Sequence, residues 1–150
     1  MTIIGLLLMV ACTSKSPSGQ IGSMQKRVTR VERSVESLYN NDFDYLVKAY
    51  QALDTTVARK KDIVSEMELL QAYLQQFETQ RKVILKNVAY SRQQLSDLNE
   101  DVKANIYDEP TLKKYINDEE RELKMMEAQI KYFQEKFDAQ KEVVKRLRKE

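Results

Sequence analysis

From Met24 onward the apolar residues recur at alternating steps of three and four, the period of helices that pack along a seam and not the alternation of strands. A first stretch reads Val28, Val31, Val35, Leu38; after a polar patch at Asn40, Asn41 and Asp42 the seam resumes at Leu46 and runs through Leu53, Leu70, Phe77, Ile84 and Leu95 to Val102. With Leu46 set as heptad position a, 13 of the 18 a and d positions up to Asn105 are apolar, so the helical period is sustained over some sixty residues. The two stretches are offset by four residues, which reads as a stutter that unwinds a supercoil locally without ending the helix. Lys60 and Arg81 occupy a positions inside the seam, where a long basic side chain either fixes register or snorkels past the core.

Tyr107-Asp108-Glu109-Pro110 is the strong punctuation mark of the body. Proline disfavours helical geometry in the residue before it and suits the first turn of a new helix, where acidic residues also meet the helix dipole favourably. The pattern therefore predicts an all-α fold: a long arm over about residues 24–106 and an antiparallel return helix over about 110–150, forming a coiled-coil hairpin. Folding about Asp108 pairs Leu123 with Leu95, Phe137 with Arg81 and Leu147 with Leu70. The alternative is a three-helix bundle, with the chain broken near Asn40–Asp42 or at Asp54-Thr55-Thr56.

In the hairpin, residues 24 to about 65 carry an apolar stripe with no intrachain partner, and a lone helix cannot bury it. A homo-oligomer or another protein is then expected to cover it. Tyr39, Phe43, Leu46 and Tyr50, spaced four, three and four, share one face of that arm and form the candidate partner face; in a three-helix bundle the same face packs on the third helix.

Composition narrows the chemistry. The 150 residues contain no His, no Trp, one Cys and three Gly, all three within the first 22 residues. His- and Cys-based metal sites, Ser-His-Asp or Cys-His catalysis and internal disulfides need His or paired Cys that this chain lacks, and a phosphate loop needs glycines that residues 23–150 do not contain. Twenty-five Lys and Arg against 23 Asp and Glu leave a net charge of +2, too small to mark a nucleic-acid binder. Asn40-x-Asp42-x-Asp44 has the opening spacing of a calcium loop, but Tyr45 stands where glycine is needed and Gln51 where the closing glutamate belongs. Acidic groups at Glu100/Asp101 and Asp118/Glu119/Glu120 are what a helix of this charge density carries. No enzyme activity, cofactor, metal or small-molecule substrate is expected.

Residues 3–11 form an uncharged apolar run of nine, half of what a bilayer span requires and the length of a signal-peptide core, with Cys12 directly after it. Met9-Val10-Ala11-Cys12 resembles the lipobox of bacterial lipoproteins, in which a signal peptidase cuts before the cysteine and the thiol carries a diacylglycerol. The resemblance implies a signal peptide over 1–11, lipidation at Cys12 and membrane attachment through that lipid. Thr13, where aspartate in that family marks retention at the inner membrane, implies the outer membrane facing the periplasm. Residues 12–23 are rich in Ser and Gly and read as a flexible tether, leaving 24–150 as the helical domain. The function expected from these features is that of a non-enzymatic, membrane-anchored envelope lipoprotein acting as a structural or protein-interaction module. A holdase chaperone that cradles unfolded envelope proteins between extended arms is the alternative.

Overall fold

The computed structural model describes residues 16–52 and 61–147. Helix α1, Pro17–Ser37, starts where Ser16 caps it: the Ser16 hydroxyl accepts the Gly19 amide at 3.2 Å and Pro17 fills the first helical position, where a missing N–H costs nothing. The tether expected over 12–23 is therefore helix from Pro17 on. Ile21 and Met24 supply the reason, since both are buried and extend the Val28, Val31, Val35 stripe one further heptad toward the N-terminus.

A six-residue π-helical turn, Leu38–Phe43, joins α1 to α2, Asp44–Ala52, without a break. The Asp44 amide bonds the Tyr39 carbonyl five residues back, and this wider turn takes up the register offset expected as a stutter. Buried Leu38 and buried Leu46 are eight residues apart instead of seven, and the inserted residue is what the π turn accommodates.

Helix α3 spans Lys61–Lys103 and helix α4 Glu109–Leu147. Between them the chain reverses on Asn105, whose φ of 51° lies in the left-handed region that asparagine tolerates better than most residues. The Ile106 amide reaches the Asp101 carbonyl at 3.1 Å and the Asn105 amide the Val102 carbonyl at 3.3 Å, the paired bonds of a Schellman stop. Asp108 then caps α4 by accepting the Thr111 amide at 3.0 Å; the Thr111 hydroxyl first and this amide second hold its carboxyl below the ordinary range.

The described residues are all-α and contain no strand. Of the two arrangements the sequence allows, the three-helix bundle is the one formed. Glu36 bonds Arg81 and Glu32 bonds Arg92, contacts that a continuous helix over 24–106 would hold tens of ångströms apart. The α1–α2 rod runs antiparallel to α3, and α4 runs antiparallel to α3 as expected. Lys60 and the Asp54-Thr55-Thr56 break lie outside the described residues.

The seam read from the sequence is the core. Leu70, Leu74, Phe77, Ile84, Val88 and Leu95 of α3 face Ile116, Leu123, Met126, Phe133, Phe137 and Val144 of α4, with the α1 stripe completing the interior. The register of α3 on α4 differs from the expected one. Phe137 lies on Phe77 at 4.9 Å, one turn from Arg81, because the reversal centres on Asn105 and Ile106 and not on Asp108.

Candidate functional site

Tyr39, Phe43, Leu46 and Tyr50 are brought together, but inward. Tyr39 and Phe43 stack at 5.1 Å and 16°; Phe43 in turn meets Phe77 at 5.6 Å and Phe137 at 6.5 Å. Leu46 is fully buried, and the Tyr50 hydroxyl approaches the Gln71 side chain at 3.4 Å. The face expected to meet a partner is filled by α3 and α4 of the same chain. The extended arms on which a cradling holdase depends are closed into the bundle.

Arg81, the polar residue within the seam, pairs with both oxygens of Glu36 at 2.9 Å and lays its guanidinium over the Tyr39 ring at 4.1 Å. Its stacking partner is thus Tyr39, contributed by α1's continuation, and not Phe137. The buried Nε has no partner, so the side chain spends its remaining contacts on fixing α3 against the rod.

The densest polar clamp centres on Arg27 of α1, one of the basic residues Lys26, Arg27, Arg30 and Arg33 that follow the start of the helix. Arg27 donates from Nε and Nη2 to Glu127 at 2.9 and 2.7 Å and from Nη1 to both oxygens of Glu120 at 2.8 and 2.6 Å. These bonds raise the guanidinium pKa and hold Glu120 below the ordinary carboxylate range. A legible signal was the heptad spacing of Glu120 and Glu127, which places both on one flank of α4. Lys141 to Asp42 at 2.5 Å adds a second α4 contact to the rod, and Arg146 to Glu66 joins α4 to α3. Asp42 and Asp44, the first residues of the calcium-like spacing, are taken by Lys141 and Lys48.

Glu119 and Gln140 interrupt the α4 seam and are both buried. Burial raises the Glu119 carboxyl, Ser91 partly offsets this by hydrogen bonding, and Glu122 and Asp118 raise it further; Oε2 is left without a partner. A raised carboxyl binds its proton more tightly in the fold than in the unfolded chain. The stability this confers is full below the ordinary glutamate value and is lost as pH rises through the folded value. Glu119→Gln is therefore expected to stabilise the bundle by about 1 kcal/mol at pH 7, or about 3–5 °C in melting temperature. The gain should shrink toward zero at pH 4, and thermal melts at the two pH values check it. An unchanged or lowered melting temperature at pH 7 would contradict the assignment.

At the α3–α4 turn an open cleft of about 350 Å³ lies between Asp97, Asp101, Tyr107, Tyr115 and Asp118. Tyr107 donates to Asp101, which raises the phenol's pKa, and meets Tyr115 edge-on at 5.1 Å. Among the described residues no group of carboxylates is arranged to hold a metal ion, and no helix is long and apolar enough to cross a membrane. Cys12 lies outside the described residues. Comparison with known protein families, curated proteins and solved structures finds no match.

Proposed function

We propose that this chain is a lipid-anchored, non-enzymatic helical module of the bacterial envelope, attached through Cys12 and acting by protein contact. The observation that carries the reading is Met9-Val10-Ala11-Cys12 at the end of an apolar run, with the chain's only cysteine at the position the motif requires. The bundle supports it in one respect: only Thr13, Ser14 and Lys15 separate Cys12 from the cap of α1. The four steps from Cys12 to Ser16 span at most about 14 Å, so the bundle would be held against the lipid surface and not on a long leash. Pro17 and Gln20 line one groove with Glu109 and Leu112, which puts the start of α1 and the α3–α4 turn at the same, membrane-proximal end. That end carries Asp97, Asp101 and Asp118 around its cleft, so attachment would rest on the lipid and not on attraction to anionic headgroups.

Growth with labelled palmitate tests the anchor. Cys12→Ala is expected to abolish the label and move the protein from the membrane to the soluble fraction. Undiminished label and membrane retention would overturn the proposal, because a lipoprotein has no other acylation site here.

A further inference from the structure

The groove between α3 and α4 has two sides. On one side α1 and its continuation fill it; the opposite side is open, and its chemistry differs from the rest of the surface. Along α3 this side presents Leu69, Gln76, Val83 and Tyr90 at heptad intervals, flanked by Tyr73, Gln80, Asn87 and Gln94, without a charged residue among them. Along α4 it presents Met125, Gln129, Tyr132 and Ala139. Gln76 and Gln80 line a single groove of about 370 Å³ with Gln129 and Tyr132, which shows that the two stripes are one face. Leu69, Val83, Tyr90, Met125 and Tyr132 are 48, 43, 63, 54 and 39 % exposed. They are five of the nine exposed large apolar side chains among the described residues, so exposed apolar surface is concentrated here in a chain that is 32% charged.

We infer that this face is the interface of an antiparallel homodimer, with α3 against α3 and α4 against α4 of a second copy about a two-fold axis at Gln80 and Gln129. The pattern is self-complementary about that point. On α4, Glu122 and Lys136 each stand seven residues from Gln129, so the axis sets the Lys136 of each copy opposite Glu122 of the other. Among the described residues neither makes an ion pair within its own chain; Lys136 instead lies over the Tyr73 and Tyr132 rings at 5.5 and 5.4 Å. The same axis sets Met125 opposite Tyr132, a thioether on an aromatic ring, and on α3 sets Val83 near Gln76 and Leu69 near Tyr90. A parallel pairing about an axis along the helices would lose the charge match.

The size is sufficient. Leu69 to Gln94 covers about 37 Å at ~1.5 Å per residue, and two helices about 10 Å apart make a strip some 20 Å wide. Two copies together would bury about 1,400 Å², within the range of stable interfaces. Isologous contact of this kind closes on itself and leaves no second sticky face. The inference goes beyond the anchoring reading and does not depend on it.

The test uses the full chain carrying Cys12→Ala, which removes the native thiol. Gln129→Cys, on the axis, is expected to cross-link to a covalent dimer under mild oxidation, while Lys124→Cys, on the outward side of α4, stays monomeric. In sedimentation, Lys136→Glu and Glu122→Lys should each raise the dimer dissociation constant about tenfold or more, and the double reversal should return it to within about threefold of the parent. A monomer at about 100 μM, equal cross-linking at both positions, or single reversals without effect or without rescue would each overturn the proposal. A monomeric result would leave the face to a different protein.

Discussion

Phe77→Ala is expected to lower the stability of the bundle by about 3–5 kcal/mol, read as a drop in urea midpoint at constant m-value. Phe77 is fully buried at the point where three segments converge: Phe43 from the π turn at 5.6 Å, Phe133 at 5.1 Å and Phe137 at 4.9 Å from α4. Two of these contacts are edge-on, at 68° and 74°, the geometry in which aromatic pairs gain about 0.5–1.5 kcal/mol beyond area burial. Truncation leaves a cavity lined by rings fixed on the π turn and on α4, which cannot collapse to fill it, so both the transfer and the cavity cost apply. Domains of this size have about 5–15 kcal/mol in total, and the variant should be close to unfolded at 37 °C. Phe77→Leu, which keeps most of the volume, should cost about 1–2 kcal/mol. A loss under about 1.5 kcal/mol for the alanine variant would mean that the π turn does not dock on α3 and α4, since only an open site would leave Phe77 so lightly packed.

How far the fold was legible follows from what kind of information each element needed. The seams of α3 and α4 were readable because apolar period is a local property, and Leu70 to Leu98 and Ile116 to Leu147 face the core as their spacing requires. The choice between hairpin and bundle was not local. The Val28 to Leu38 stripe demands a partner but carries no mark of whether that partner lies in the same chain, and no Gly or Pro stands between residues 23 and 109 to announce a reversal. The start of α1 was obscured by composition: Ser and Gly imply a tether, yet Ser16-Pro17 is a cap and first-turn pair, and Ile21 and Met24 carry the burial that makes the helix worthwhile. The register of α4 turned on one residue, Asn105, whose tolerance of positive φ moved the pivot by less than a turn and Phe137 by a full one.

The candidate site was legible in its members and not in its direction. Tyr39, Phe43, Leu46 and Tyr50 do share a face, but aromatic residues serve equally as interface anchors and as core, and only the position of α3 decides between them. The open face is illegible in the sequence for the opposite reason. Leu69, Val83 and Tyr90 lie outside the a and d seam, and their meaning emerges only when α4 places Met125 and Tyr132 beside the same groove, on the side that α1 leaves uncovered.

What keeps α1 docked is tested by Arg27→Ala, expected to cost about 2–3 kcal/mol at pH 7. The side chains of Arg27, Glu120 and Glu127 are 22, 31 and 38 % exposed, so solvent screens the clamp and the loss should fall below that of a fully buried pair. It should still exceed a surface pair, because one guanidinium satisfies two carboxylates that would otherwise repel each other across a single turn pair of α4. Arg27→Lys keeps the charge but cannot bond both Glu120 and Glu127 in the forked geometry, and should recover less than half the loss. The pH dependence separates the clamp from simple packing. Glu120 is held below the ordinary glutamate range by Arg27, so its contribution is present above that range and is lost as pH falls through the depressed value. Urea titrations should therefore show the parent losing stability below about pH 5 more steeply than Arg27→Ala, the two curves converging in acid. Equal stability of Arg27→Lys and the parent, or parallel pH curves for the parent and Arg27→Ala, would assign α1's docking to the Ile21 to Leu38 stripe alone. A detached α1 would uncover that stripe, so loss of the clamp should also favour association through the exposed core.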